Sequence, residues 1–135
     1  MSRAVTAMSI AVAVFAGVSL AQTQEEPPTG AFKAVHLVNL SDAEVASVQD
    51  ALADINAVVA KAGYADIRYR LYRVEGKQNG EFKYMWESEW PSGAVYQKVH
   101  DSPEWGAAVK RHPELDAIMK KEVYNRYVEV MRTPR

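Results

Sequence analysis

The feature that most constrains the fold is a pair of alternating segments joined by a short polar turn. Ile67–Glu75 (IRYRLYRVE) alternates strictly, with Ile67, Tyr69, Leu71 and Arg73 on one side and Arg68, Arg70, Tyr72 and Val74 on the other. Phe82–Trp90 (FKYMWESEW) alternates aromatic residues with Met and charged residues. Between them, Gly76–Gly80 (GKQNG) contains residues that tolerate a positive φ. This pattern predicts an antiparallel β-hairpin.

Before the hairpin, the sequence predicts one strand and one helix. Phe32–Leu40 is short and apolar on both faces near its centre, which is typical of a central strand. Ser41 and Glu44 form a capping box that begins a helix extending to about Ala62, and Gly63 ends it. Apolar residues recur every three or four positions along this helix: Val45, Val48, Leu52, Ile55 and Val59.

After the hairpin, the sequence predicts a broken helical region and a last strand. Caps and prolines divide the helical region into pieces with these bounds: Ser92 to His100, Ser102 to His112, and Pro113 to Lys121. Tyr124–Met131 alternates again and predicts a strand. The resulting β-α-β-β-α-β order indicates an α+β, ferredoxin-like domain with a four-stranded antiparallel sheet and its helices on one face.

The N-terminal segment predicts export. Arg3 carries a positive charge, Met8–Leu20 is an uninterrupted small and apolar run, and Ala21 is small, as a signal peptidase requires. The apolar run is shorter than the roughly 20 residues that span a bilayer. We predict a secretory signal at residues 1–21 and a periplasmic or secreted protein that is not held at a membrane after cleavage. The alternative is an uncleaved N-terminal anchor.

The remaining chain is predicted to be one domain. Residues 22–31 contain Pro27-Pro28 and indicate a flexible leader, the domain covers 32–131, and 132–135 form a tail. With 16 basic and 17 acidic residues, the chain has no overall charge that favours nucleic acid. It has no cysteine, no phosphate-binding glycine loop and no metal-ligand motif, so we expect neither a cofactor nor a metal.

The segment Tyr96–Trp105 (YQKVHDSPEW) narrows the choice of fold. A short helix that ends in His-Asp-Ser-Pro-Glu and an aromatic residue, after an aromatic strand, resembles the dimeric α/β-barrel superfamily. That superfamily includes antibiotic-biosynthesis monooxygenase-like and stress-responsive domains. The resemblance covers about Phe32–Met131 and implies a homodimer, in which two sheets close a barrel through the faces that their helices leave bare. Thirteen aromatic residues also favour a second packed layer.

Two histidines are candidate acid–base residues, because imidazole titrates near neutral pH. His36 lies in the middle of the first strand, and His100 lies at the end of a helix. The alternatives are a hydrogen-bonded core histidine at position 36 and a cation at the helix C-terminus at position 100.

Further residues are candidates for binding a ligand: Asn39, Arg68, Arg70, Tyr72, Trp86 and Trp105. The arginines indicate a polar cleft for an anionic or polar small molecule, or else a cross-strand ladder of ion pairs. The tryptophans suit flat organic ligands, although they also suit a core or a dimer interface. Asn39 would orient a ligand, or it is an ordinary polar residue at a strand end.

Together these features favour an exported domain that binds a small organic molecule. One alternative, which the resemblance implies, is a cofactor-independent monooxygenase-like enzyme acting on an aromatic or polycyclic substrate. Another is a structural or stress-associated protein that only self-associates. A polar cavity reached by His36, Arg68 or Arg70 would favour binding or catalysis, whereas a cleft filled by aromatic side chains would favour the structural role.

Overall fold

A computed structural model describes residues 25–76, 80–131 and 133–134. The elements in chain order are β1 (Phe32–Val38), α1 (Asp42–Lys61), β2 (Arg70–Arg73), β3 (Tyr84–Trp90), α2 (Gly93–His100), α3 (Pro103–Lys110), α4 (Glu114–Met119) and β4 (Val123–Tyr127). The predicted signal at residues 1–21 lies outside the described residues. In the part of the chain that is described, no helix combines the length and apolar character needed to cross a membrane.

The four strands form one antiparallel sheet in the order β2-β3-β1-β4. The predicted ferredoxin-like α+β fold is therefore confirmed, with β1 in a central position. The hairpin is also confirmed, because Arg70 pairs with Glu87 and Arg73 with Tyr84. Residues 77–79 of its turn lie outside the described residues, and Gly76 and Gly80 beside them have positive φ.

All four strands are shorter than predicted, and β2 and β4 differ most. The side chain of Asn56 hydrogen-bonds both the backbone N–H and the carbonyl of Tyr69, at 2.7 and 3.0 Å, so this residue is unavailable to extend β2. At the other edge, β4 pairs Tyr127 with Lys33. Because β1 begins at Phe32, the residues after Tyr127 have almost no partner strand left to pair with.

Local capping explains where the helices begin. Ser41 Oγ accepts a hydrogen bond from the backbone N–H of Glu44, and Glu44 Oε2 accepts one from Ser41, which confirms the predicted capping box. The hydroxyl oxygens of Ser92 and Ser102 cap α2 and α3 by accepting hydrogen bonds from the backbone N–H groups of Val95 and Trp105. Helix α1 places one stripe in the core: Val48, Ala51, Leu52, Ile55 and Val59.

Alternation along the strands gives the sheet two distinct surfaces. The helix-facing surface consists of Phe32, Ala34, His36, Val38, Leu71, Arg73, Tyr84, Trp86, Ser88, Trp90, Tyr124 and Arg126. The open surface consists of Lys33, Val35, Leu37, Arg70, Tyr72, Met85, Glu87, Glu89, Val123, Asn125 and Tyr127. The core lies between the helix-facing surface and the helices.

The segment before β1 packs against the domain from Glu25 onward. Pro27 and Pro28 lie against Gly93 at the start of α2, where a Cβ atom would overlap the carbonyl oxygen of Pro28. Arg126 Nη1 donates a hydrogen bond to the carbonyl oxygen of Glu25 at 2.7 Å. The sequence predicts a flexible leader here, but these contacts attach the segment from Glu25 onward to the domain. Residues 22–24 lie outside the described residues.

Candidate functional site

A cavity of about 750 Å³ lies between the helix-facing surface and the helices. Its volume is within the range of small-molecule sites, roughly 300–1,000 Å³. Aromatic side chains form much of its wall: Tyr69, Trp86, Tyr96, Trp105 and Tyr124. Aliphatic residues of the helices, including Leu52, Ile55 and Leu115, complete the apolar part. The polar lining consists of His36, His100 and Arg126, with Glu25 and Asp116; Asn125 also borders the cavity, although its strand position belongs to the open surface.

His36 is held by a buried carboxylate. Its Nδ1 lies 2.7 Å from Oε2 of Glu122, whose side chain is 1% exposed. A carboxylate at this position accepts a hydrogen bond from Nδ1–H and thereby fixes the tautomer of the ring. His36 Nε2 makes no hydrogen bond to a described residue, so its lone pair can accept a proton from a molecule in the cavity.

The second oxygen of Glu122 supports a functional role for this pair. Oε1 is buried and has no hydrogen-bond partner among the described residues. Leaving a buried polar atom unpaired costs about 1–3 kcal/mol, and more for a charged group. Buried unpaired atoms are rare in proteins and call for an explanation. The unpaired oxygen beside His36 marks this pair as a candidate functional group.

Aromatic neighbours fix the plane of the His36 ring. The ring stacks on Trp86 with a centroid separation of 4.6 Å and an interplanar angle of 17°. Tyr124 is the residue paired with His36 on β4, and the centres of their rings are also 4.6 Å apart. These contacts follow from register, because Trp86, His36 and Tyr124 occupy one row across β3, β1 and β4.

His100 lies in an aromatic cluster with both ring nitrogens engaged. Nδ1 donates to the carbonyl oxygen of Tyr96 at 2.7 Å, and Nε2 lies 3.3 Å from the hydroxyl of Tyr69. Burial lowers the pKa of His100 to about 4, and burial also raises the pKa of Tyr69 well above its usual value. His100 is therefore neutral near pH 7. Its Nδ1–H caps a carbonyl of the last turn of α2, as the alternative interpretation expects, but the ring does so as a neutral group and not as a cation.

The arginine of the cavity is Arg126 on β4. Its Nε donates to the hydroxyl of Tyr124 at 3.0 Å, and its guanidinium carbon lies 5.3 Å from the centre of the Tyr96 ring. The sequence places Arg126 on the same strand face as Tyr124, but no local pattern shows that this face meets a cavity. Across the described ranges, no group of three or more acidic or histidine side chains is placed to hold a metal ion.

The cavity brings together four of the predicted site residues, namely His36, His100, Trp86 and Trp105. The other four lie elsewhere. Asn39 ties the end of β1 to the loop before β3, through hydrogen bonds of 2.8 and 2.9 Å to backbone groups of Glu81 and Lys83. Arg68 is exposed, and Arg70 and Tyr72 lie on the open surface.

The ion pairs of the open surface involve a different cation from the one expected. Lys33 Nζ lies 3.2 Å from Glu87 and 3.0 Å from Glu89. This is the cross-strand ladder that was considered for the hairpin, but its cation comes from β1. Sequence reasoning could not assign it, because the pairing of β1 with β3 is not visible in local patterns.

No protein-family model and no curated protein sequence matches the chain. Solved structures are similar to it. One is a candidate antibiotic biosynthesis monooxygenase from Caulobacter crescentus, with 18% identity over 76% of this chain and 92% of that chain, at a TM-score of 0.55. A second is a DABB-family protein with a ferredoxin-like fold from Mesorhizobium loti, with 13% identity over 76% and 99% of the two chains and a TM-score of 0.53.

A third is a cofactor-independent oxygenase from Streptomyces nogalater, with 14% identity over 82% and 100% of the two chains and a TM-score of 0.50. These likenesses show that the chain has the ferredoxin-like fold that the resemblance of Tyr96–Trp105 implies. At these identities they assign no activity to His36 or to any other residue.

Proposed function

We propose that the chain binds a flat aromatic small molecule in the cavity, and that His36 exchanges a proton with it. The observation that carries this proposal is the free Nε2 of a carboxylate-held imidazole in an aromatic-walled space of about 750 Å³. A cavity of this size, reached by His36, favours binding over a purely structural role. The cavity arginine in this proposal is Arg126, while Arg68 and Arg70 have no part in it.

The chemistry is that of a general base. Nε2 of neutral His36 takes a proton from an acidic C–H or O–H group, and the Glu122 carboxylate stabilises the imidazolium through Nδ1–H. Positioned acid–base groups contribute about 10²–10⁴-fold to a rate. Because His36 stacks on Trp86, the plane of the imidazole is fixed, and this fixes the direction in which Nε2 points toward a flat ligand.

The test uses 2-tetralone, a bicyclic aromatic ketone with an acidic methylene, and follows exchange of its protons for deuterium by NMR. We expect the protein to accelerate exchange, and His36→Asn to reduce the rate to that of solvent. Glu122→Gln should retain part of the acceleration, because the imidazole remains but loses its charged partner. His112→Asn is the matched control, since His112 contacts Asp54 outside the cavity. An unchanged rate in His36→Asn would rule out the base.

Monooxygenase-like turnover is the alternative that begins with the same proton transfer. It is motivated by the Streptomyces nogalater neighbour, which is described as a cofactor-independent oxygenase. The measurement is oxygen uptake with anthrone, a tricyclic ketone whose methylene is also acidic. Uptake that disappears in His36→Asn would favour this alternative. Deuterium exchange without oxygen uptake would restrict the activity to proton transfer.

We also propose that the chain forms a homodimer through the open surface. This surface exposes Tyr72, Val123 and Tyr127 by 40%, 42% and 51%, and such apolar groups favour a partner. The test is native mass spectrometry of protein that begins at Gln22. We expect a dimer for the unmodified chain, and a monomer when Val123 and Tyr127 are both changed to Lys. A monomeric unmodified chain would contradict the proposal.

Export to the periplasm or medium is proposed from the N-terminal sequence alone. Expression of the full chain in a bacterial host, followed by N-terminal sequencing of the extracytoplasmic protein, tests it. A start at Gln22 is expected. Intact protein that starts at Met1 and remains in the cell would contradict it.

A further inference from the structure

We propose that the ligand of the cavity is an aromatic carboxylate, and that Arg126 binds its anionic group. This inference rests on the proposed binding function and adds the chemical class of the ligand. It requires a cation that faces the cavity, unused donors on that cation, and a suitable distance from His36.

Some hydrogen-bond donors of Arg126 are not used by the described residues. Nε donates to the hydroxyl of Tyr124 at 3.0 Å, and Nη1 donates to the carbonyl of Glu25 at 2.7 Å. Nη2 makes no hydrogen bond to a described residue, and each Nη nitrogen carries two hydrogens. Both existing acceptors are neutral, so the charge of the guanidinium is not compensated by them. The planar guanidinium fork matches the two oxygens of a carboxylate.

No acidic side chain of the described residues lies within ion-pair distance of Arg126. The guanidinium also lies against aromatic faces, with its carbon 6.0, 5.3 and 5.5 Å from the ring centres of Phe32, Tyr96 and Tyr124. Those rings hold the cation by cation–π attraction and limit its access to water. An ion pair formed there is screened less than one on the open surface.

Other charged or titratable groups also face the cavity. His36 and the neutral His100 lie on the inside, and the carboxylates of Glu25 and Asp116 belong to exposed residues. The two carboxylates oppose an incoming anion, and we expect them to weaken its binding without abolishing it. His36 could attract an anion if it were protonated, so the experiment must separate its effect from that of Arg126.

Sheet register sets the distance between Arg126 and His36. Arg126 pairs with Ala34, and His36 pairs with Tyr124. Arg126 and His36 are therefore diagonal neighbours on one surface, and such pairs are about 7–8 Å apart. A ligand whose aromatic ring separates a carboxylate from an acidic proton would reach both residues. Ala34, which pairs with Arg126 on the same surface, lines the cavity beside them.

The experiment compares 2-naphthoate with the neutral, isosteric 2-naphthamide. Binding is followed by quenching of tryptophan fluorescence, because Trp86 and Trp105 line the cavity. We expect naphthoate to bind about ten- to hundred-fold more tightly, in line with a charge-assisted hydrogen-bonded pair. Arg126→Gln should remove this preference and change the affinity for naphthamide by less than about twofold. Added salt should weaken only the binding of naphthoate.

Three variants complete the design. Arg70→Gln is the matched control on the open surface and should keep the preference for naphthoate. His36→Asn should also keep it, since Arg126 and not an imidazolium binds the anion. Glu25→Gln should increase the affinity for naphthoate severalfold, because it removes a negative charge that opposes the anion. This variant tests the electrostatics of the cavity if Arg126→Gln does not fold.

The outcomes separate the two proposals. If both probes bind with equal affinity, or if Arg126→Gln keeps the preference, the carboxylate inference is wrong and the aromatic cavity remains. If neither probe binds, the proposed binding function itself fails, and this inference fails with it.

Discussion

The two surfaces of the sheet are built from alternating residues of the same strands, yet their chemistry differs. On β1, Ala34 and His36 face the helices, whereas Lys33 and Val35 face outward. Polar groups on the helix-facing surface have specific partners, as the contact of His36 with Glu122 shows. On the open surface, Lys33 bridges two glutamates, and its side chain is 40% exposed. Burial, and not residue type, therefore determines how strongly a polar group interacts with its partner.

The largest expected difference between the two surfaces is in packing. Trp90 on the helix-facing surface is 2% exposed, and Trp90→Ala should lower the free energy of unfolding by about 3–5 kcal/mol. Tyr72 on the open surface is 40% exposed, and Tyr72→Ala should lower it by less than about 1 kcal/mol. Urea denaturation of dilute protein measures both. Equal losses would show that the open surface is as fully packed as the core.

The next effect is the pH dependence that His100 produces. Its pKa is lowered by burial from 6.5 to about 4, so the folded state favours the neutral ring. The stability that it contributes is complete above about pH 6.5 and is lost as the pH falls towards 4, because the unfolded chain takes up the proton first. The difference between these pKa values corresponds to about 3 kcal/mol.

The variant His100→Asn separates this contribution from the rest of the chain. Unfolding free energies of the variant and the unmodified protein should converge as the pH is lowered from 7 to 4.5. The readout is the change in slope, so a general loss of stability in the variant does not obscure it. Parallel curves would mean that His100 titrates normally in the folded protein.

The smallest effect belongs to the ion pairs of the open surface. Lys33→Met removes both contacts, with Glu87 and with Glu89, and should change the free energy of unfolding of dilute, monomeric protein by about 0–1 kcal/mol. The change should diminish further in 0.5 M salt, because screening weakens exposed pairs. Thermal unfolding at two salt concentrations measures it. A loss of several kcal/mol in the monomer would contradict this expectation, and a larger loss that appears only at higher protein concentration would show that the proposed dimer buries these pairs.

Local signals predicted most of the fold. The alternation around the Gly76–Gly80 turn identified the hairpin and the two faces of its strands, because side-chain direction in a strand depends only on position. The capping box at Ser41 identified the start of α1 for a similar reason, since its partners are three residues apart. The segment Tyr96–Trp105 indicated the ferredoxin-like fold that the similar solved structures share. Strand β2 was predicted too long because the bonds from Asn56 come from a distant helix.

The site was predicted only in part, because its chemistry depends on contacts between distant positions. His36 was identified from its strand, but Glu122 is 86 positions away and follows two lysines, where a carboxylate usually meets solvent. Arg70 and Arg126 are equally good cations in the sequence. They differ in which surface of the sheet they occupy: Arg126 faces the helices and Arg70 faces away from them. This difference is known only after the strands are paired.

The absence of a side chain at Gly93 has an evolutionary consequence. Any larger residue there would collide with Pro28, so the segment from Glu25 and the start of α2 constrain each other. Homologues that have this N-terminal segment should conserve glycine at the equivalent position, and homologues without it should be free to vary there. Covariation between the two positions would therefore show that natural selection has maintained this contact.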